Sequence, residues 1–181
     1  KDLKPAGVFK YFEEICQVPR PSKKEEKMIA YLKAFGAKHN LETKVDEAGN
    51  VLIKKPATPG KENLQTVVLQ SHIDMVCEKN NDVQHDFLTD PIETEIDGEW
   101  LKAKGTTLGA DNGIGVATEL AILADDSIEH GPLECLFTVD EETGLTGAFA
   151  LQEGFMSGDI LLNLDSEDEG EIFIGCAGGI D

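Results

Sequence analysis

Three largely apolar runs constrain the fold of this 181-residue chain more than any other feature of its sequence. They cover residues 64–69, 133–139 and 160–164. Short runs without polar alternation at their centres are typical of strands buried on both faces, as in the parallel sheets of α/β proteins. Because helical patterns lie between the runs, the sequence predicts a layered α/β fold with a largely parallel central sheet flanked by helices.

Apolar periodicity and turn residues predict the remaining elements. The spacing of apolar residues indicates helices over residues 5–18 and 112–124. Ser22 and Glu25 have the spacing of a capping box, which predicts a further helix that starts there. The other predicted elements are hairpins that turn at residues 47–50 and 97–98 and a candidate strand at residues 171–174. No linker or internal repeat divides the chain, so we expect one domain or the larger part of one.

Four polar segments, rich in carboxylates, either follow an apolar run or open a helix. They are residues 71–74 (SHID), 109–113 (GADNG), 140–144 (DEETG) and 163–166 (NLDS). Because the carboxyl ends of parallel strands meet at one edge of a sheet, we expect these segments to lie close together. One imidazole and several carboxylates form a ligand set that suits zinc or a similar divalent ion. The sequence therefore predicts a metal site at this edge.

His72 and Asp74 point to the same side of an extended segment because they are two residues apart. Asp74 can therefore bind and orient the side of the His72 ring that faces away from a metal. An ordinary polar turn at a strand end is the alternative. Asp111 is a further candidate ligand, and its alternative role is to cap a helix in the glycine-rich turn that begins at Gly109. The small residues around Asp111 further allow the backbone to approach another group closely.

Glu141 and Glu142 follow the second apolar run, where two adjacent carboxylates repel each other and need a partner. If Glu142 binds a cation, Glu141 is free to act as the general base of a metal-assisted hydrolysis. A solvated acidic loop is the alternative, because Asp140 extends the acidic run. Asp165 directly follows the third run and is a ligand candidate, whereas residues 167–169 are expected to form a solvated acidic turn.

Composition excludes several classes of function. The formal net charge of −19 would repel a nucleic-acid backbone, and no basic stripe offsets it. No segment approaches the roughly 20 uninterrupted apolar residues that cross a membrane, and residues 1–7 do not resemble a secretory signal. The cysteines form no CxxC pair, and Cys16, Cys135 and Cys176 lie among apolar residues, as buried free thiols do. We therefore expect a cytoplasmic protein that binds neither nucleic acid nor membranes.

Taken together, the four segments resemble the co-catalytic zinc aminopeptidase and dipeptidase family called M20. Residues 105–109 (GTTLG) and 175–179 (GCAGG) are most similar to its aminoacyl-histidine dipeptidase branch. The resemblance covers nearly the whole chain and implies a zinc exopeptidase-like catalytic domain. It also implies two divalent metal ions, zinc first, with cobalt or manganese as alternatives.

The resemblance implies a role for each of the six candidate residues. His72 and Asp165 are implied as ligands of one metal, and Glu142 is implied as a ligand of the other. Asp111 is implied as the bridge between both metals. Asp74 is implied as the residue that orients His72, and Glu141 as the base. The two metals are expected roughly 3.5 Å apart. A cis peptide bond between Asp111 and Asn112 is also implied.

The resemblance further implies parts that these residues do not supply. Members of the family bind the second metal with another histidine near the end of a longer chain, and none of His39, His85 and His130 is assigned as its substitute. They also carry a lid or dimerisation domain inserted into the catalytic domain. We therefore expect residues 1–181 to be the N-terminal part of the catalytic domain, and the full-length protein to form a homodimer through the lid.

The implied activity is metal-dependent hydrolysis of small peptides, namely dipeptides of the Xaa-His type or a broader set. Two alternatives stay open. One is an amidohydrolase of the same architecture that acts on N-acyl amino acids. The other is a metal-binding or interaction domain without catalytic activity, which the absence of a second histidine ligand favours for these residues alone.

Overall fold

The computed structural model describes residues 3–166 and 170–175, in which the chain forms four helices and seven strands. The helices are α1 (Ala6–Cys16), α2 (Glu26–Lys38), α3 (Ala110–Ala124) and α4 (Thr146–Ala150). The strands are β1 (Glu42–Val45), β2 (Val51–Lys55), β3 (Val67–His72), β4 (Thr94–Asp97), β5 (Trp100–Ala103), β6 (Leu133–Thr138) and β7 (Ile160–Asn163).

Five of the strands form one mixed sheet in the order β1-β2-β6-β3-β7. Strands β6, β3 and β7, which correspond to the three apolar runs, are parallel to one another. Strands β1 and β2 form the predicted antiparallel hairpin, and β2 also pairs antiparallel with β6. The antiparallel part therefore lies on one side of the sheet. Strands β4 and β5 form a separate hairpin. The predicted α/β class is confirmed, and the parallel half of the sheet carries the polar segments.

Alternating side chains divide the core into two layers, as the period of an extended strand requires. Val51, Ile53 and Phe137 point to the face that α1, α2 and α3 cover. Leu52 and Leu136 point to the opposite face, where the segment after α4 packs. Every residue of β6 is buried, because this strand lies at the centre of the sheet between both layers.

The first parallel strand, β3, starts three residues later than predicted. It starts at Val67 rather than at residue 64 and ends at His72. Residues 64–66 instead lead into the sheet, and the carbonyl of Thr66 accepts hydrogen bonds from the backbone of Asp159 and Ile160. As a consequence, His72 is itself a strand residue, paired with Thr138 at the carboxyl end of β6.

The predicted capping box of Ser22 and Glu25 is wrong. Helix α2 begins at Glu26 without a side-chain cap. The Ser22 hydroxyl donates instead to Asp74 Oδ2 at 2.7 Å, and Glu25 Oε1 accepts the backbone N–H of Asp140 at 3.0 Å. Both side chains therefore support the ends of β3 and β6 rather than the helix.

The remaining predictions have mixed outcomes. Residues 171–174 form no strand and are exposed, whereas the short helix α4 was not predicted. Cys16 and Cys135 are buried free thiols, while Cys176 and residues 167–169 lie outside the described residues. None of the four described helices has the length and apolar character that crossing a membrane requires.

Candidate metal centre

The carboxyl ends of the parallel strands bring the six predicted site residues together. His72 is the last residue of β3, and Asp74 follows it. Glu141 and Glu142 follow β6, and Asp165 follows β7. The sixth residue, Asp111, enters from the first turn of α3, where the Asp111–Asn112 peptide bond is cis, as the family resemblance implies.

The ring of His72 lies at the centre of the cluster and is buried. Its Nδ1 lies 3.2 Å from Asp74 Oδ1, and its Nε2 lies 3.0 Å from Asp111 Oδ1. Nε2 also lies 3.8 Å from Asp165 Oδ2 and 3.9 Å from Glu141 Oε2. One nitrogen of the ring is thus held from behind, while the other faces three carboxylates.

Asp74 connects the histidine to the loop that carries the two glutamates. Besides the His72 ring, it accepts the Ser22 hydroxyl and the backbone N–H groups of Glu141 at 3.0 Å and Glu142 at 3.2 Å. Burial alone would raise the pKa of Asp74, but these donors outweigh it and lower the pKa to about 2. Asp74 is therefore ionised at neutral pH, and its carboxylate fixes both the His72 ring and the loop that carries Glu141 and Glu142.

The same carboxylates determine the charge of His72 in the metal-free protein. Burial of the ring disfavours the charged form, but Asp74 and Asp111 outweigh this effect and raise the pKa of His72 to about 9. At neutral pH the metal-free ring is accordingly an imidazolium. It supplies a positive charge within the acidic cluster.

Two groups of ligand atoms in this cluster have spacings suited to a cation. His72, Asp111 and Asp165 form one group, and His72, Glu141 and Glu142 form the other, with ligand atoms within 4.8 Å of one another in each. Burial raises the pKa values of Glu141, Glu142 and Asp165, and repulsion between the neighbouring carboxylates adds to the shift. In the described part of the chain, His72 is the only cationic side chain within 4 Å of Asp111, Glu141 or Asp165. Such a cluster fits divalent ions, which would relieve the repulsion.

A third acidic group, Glu25, Asp74 and Asp140, lies behind the first two and is fully buried. Protein donors already occupy its oxygens. Asp140 accepts the hydroxyls of Thr143 and Thr146, and Glu25 accepts two backbone N–H groups. Sequence reasoning missed the parts of Glu25 and Ser22 in this support, because they lie far from β3 and β6 along the chain.

The other described histidines lie away from the cluster. His39 stacks on Phe35 at the end of α2, and His85 packs against Phe87. His130 bonds the backbone of Gly131. Within residues 3–166 and 170–175, none of these histidines belongs to a group with metal-ligand spacing.

The sequence profile of Peptidase family M20/M25/M40 matches residues 68–176. The chain is 55% identical over 179 residues to the cytosol non-specific dipeptidase of Escherichia coli, covering 99% of this chain and 37% of that protein. The solved aminoacylhistidine dipeptidase of Vibrio alginolyticus superposes with a TM-score of 0.94 at 56% identity, over 97% of this chain and 36% of that one. Aminopeptidase PepT of Bacillus cereus superposes with a TM-score of 0.76 at 26% identity, over 90% and 43%.

Fold and site together define an α/β domain with a candidate metal centre of one histidine and several carboxylates at the carboxyl ends of its parallel strands. The chain belongs to peptidase family M20/M25/M40. It spans about a third of the length of the Escherichia coli and Vibrio relatives.

Proposed function

We propose that this chain is the metal-binding part of a metallodipeptidase that hydrolyses dipeptides, of the Xaa-His type or a broader set. The observation that carries the proposal is the convergence of His72 with three carboxylates at the end of the parallel strands. The names of the Escherichia coli and Vibrio relatives, both dipeptidases, support the substrate class.

In the proposed site, His72 and Asp165 would hold one divalent ion, Glu142 would hold the second, and Asp111 would be shared between the two. We propose zinc for both, with cobalt and manganese as alternatives. When bound, such ions polarise a peptide carbonyl and make water more acidic. The group of His72, Asp111 and Asp165 supports the assignment of the first ion, and the second group contains Glu142 beside Glu141 and His72.

Glu141 is the proposed base. Its carboxylate faces the same centre as His72 Nε2, and 32% of the side chain is exposed, so substrate and water can reach it. Its backbone N–H is fixed by Asp74, which holds the side chain at this edge. Glu141 would take a proton from the attacking water and deliver it to the amine that leaves. Asp74 touches no substrate in this scheme and acts by orienting His72.

We propose that residues 1–181 are the N-terminal part of the catalytic domain, which is consistent with the 37% of the Escherichia coli relative that they match. The inserted lid and the homodimer that it forms stay predictions. A cytoplasmic location is proposed from the cytosolic name of the same relative.

Substitution of Glu141 tests the function most directly. In the natural full-length protein, Glu141→Gln should reduce hydrolysis of Xaa-His dipeptides at least about 1000-fold, because the amide cannot accept the proton. Zinc binding, measured by calorimetry, should change less than about threefold. Glu129→Gln, on an exposed ion pair with Lys61, is the control and should change neither.

Three results would contradict the proposal. Turnover that survives in Glu141→Gln would show that another group is the base. Hydrolysis of N-acyl amino acids in preference to dipeptides would favour the amidohydrolase alternative. A wild-type protein that binds no zinc, cobalt or manganese would remove the metal centre altogether.

A further inference from the structure

The chain contains a single arginine, and it lies beside the candidate metal centre. Its sixteen basic residues are lysines except for Arg20, which stands between two prolines after α1. Only 2% of Arg20 is exposed. A cation buried this deeply beside a site for cations needs a physical reason, because it repels the ions that the site would bind.

The guanidinium of Arg20 joins the two segments that carry His72 and Asp111. Its Nη1 donates to the carbonyls of Ile73 and Asp74, each at 3.0 Å. Its Nη2 donates to the carbonyl of Gly109 at 2.5 Å. These carbonyls lie directly after His72 and two residues before Asp111, so one planar group spans the gap between the ligand-bearing segments.

The glycines on either side of Asp111 make room for this group. A methyl group on Gly109 would lie 2.6 Å from Arg20 Nη2, and one on Gly113 would lie 2.7 Å from the same atom. The sequence predicted that small residues here allow a close approach to the backbone, and Arg20 is the group that approaches.

Arg20 is itself fixed to the end of β3. The backbone carbonyl of Arg20 accepts the N–H of Met75 at 3.2 Å, and the next residue, Pro21, forms a parallel β-bridge with Met75. The guanidinium therefore starts from a defined position relative to His72 and reaches from there to Gly109.

We propose that Arg20 is a positioning residue of the metal centre, which sets the spacing between His72 and Asp111. The inference rests on the proposed function, since it takes these two residues as metal ligands. Lysine cannot replace arginine in this role, because a single ammonium group cannot present the planar fork that reaches three carbonyls on two segments.

Charge and position predict opposite effects, which makes the proposal testable. If Arg20 acted only through its charge, its removal would strengthen the binding of a divalent cation. If it positions the ligands, both its removal and its replacement by lysine weaken binding. Arg20→Lys keeps the charge and changes only the geometry, so it separates the two effects.

The experiment is calorimetric titration of the protein with zinc, together with the visible spectrum of its cobalt-loaded form. Arg20→Lys and Arg20→Met should each bind zinc at least about 10-fold more weakly than the wild type, and the cobalt bands should shift. Lys55→Met is the matched control. Lys55 is also a buried cation that donates to two carbonyls, those of Ile122 and Asp125, but it does so at the far end of α3. Its substitution should leave zinc affinity and the cobalt spectrum unchanged.

The outcomes separate this inference from the proposed function. A folded Arg20→Lys protein with wild-type zinc affinity would overturn the inference alone, as would tighter binding by Arg20→Met. If Arg20→Met does not fold, as judged by circular dichroism, Arg20→Lys decides the result. A wild-type protein that binds no zinc would overturn both.

Discussion

Glu119 in α3 gives a prediction about stability that depends on its protonation. The side chain is fully buried, and its Oε1 accepts the hydroxyl of Ser71 in β3 at 2.6 Å. Its second oxygen, Oε2, has no hydrogen-bond partner among the described residues. Burial raises the pKa of Glu119 well above its ordinary value of 4.5, and the Ser71 hydroxyl and the Cys135 thiol only partly oppose this shift. Glu119 is therefore a neutral acid in the folded protein over a range of pH in which the unfolded chain is ionised.

The sign of the effect follows from proton linkage. Above pH 4.5 the unfolded chain loses the proton that folded Glu119 keeps, so the folded state binds more protons and stability falls as the pH rises. The decline amounts to about 1.4 kcal/mol for each pH unit up to the folded-state pKa. Glu119→Gln removes this titration. The variant also carries a constant cost of about 1–3 kcal/mol, because its amide N–H groups are buried without an acceptor.

Urea unfolding followed by circular dichroism, at several pH values with a chelator present, measures the effect. The free energy of unfolding of the wild type minus that of Glu119→Gln should be largest below pH 4.5, where it is constant, and should fall as the pH rises above this value. Glu134→Gln is the matched control, since Glu134 is equally buried in β6 but pairs with Lys54 at 2.6 Å and accepts two hydrogen bonds from Ser157.

The control should respond to pH in the opposite direction. Burial alone would raise the pKa of Glu134, but Lys54 and Ser157 lower it overall. Its contribution to stability is therefore present above 4.5 and is lost as the pH falls through the lower folded-state value. A difference for Glu119→Gln that is flat or that rises with pH would refute the reasoning about Glu119.

Three further predictions concern the metal centre and its surroundings. Zinc binding at pH 7.5 should release about one proton from His72, whose metal-free pKa is about 9, and calorimetry in buffers of different ionisation enthalpy measures this release. Without metal, the raised pKa of His72 stabilises the folded state below pH 6.5, and this stabilisation is lost as the pH rises through 9. The free energy of unfolding should therefore fall over this range relative to that of His72→Gln, and an increase would contradict the prediction. Gly113→Ala should lower the free energy of unfolding by about 1–3 kcal/mol, because its methyl group meets Arg20 and Phe12. Gly7→Ala in α1 meets only an ordinary contact with Ala121 and should raise it by about 0.5–1 kcal/mol, so equal effects of the two substitutions would argue against the close packing at Gly113.

Sequence patterns predicted the parts of this fold that depend on neighbouring residues in the chain. The apolar runs gave β6 and β7 within a residue, and the residues that follow them indicated where Glu141 and Asp165 would lie. The position of β3 was less well predicted, because Gln65 and Thr66 suit either a strand or the turn that precedes it.

The supporting residues could not be predicted in the same way. Ser22 lies 52 residues from its partner Asp74, and Arg20 lies 89 residues from Gly109. Local spacing gave Ser22 a capping role, which was wrong because the tertiary hydrogen bond to Asp74 takes its hydroxyl instead. Nothing around the single arginine indicated that its partners would be backbone carbonyls.

The two hydrogen bonds that Asp74 accepts from the loop after β6 also fix the number of residues in that loop. One carboxylate oxygen binds the N–H of Glu141 and the other binds that of Glu142, so each glutamate has its own place. One extra residue between Thr138 and Glu141 would move Glu141 into the place of Glu142, and the proposed base would become a ligand. A change in the length of this loop would therefore disturb the proposed site, even though the loop lies partly at the surface, where changes of length are usually tolerated.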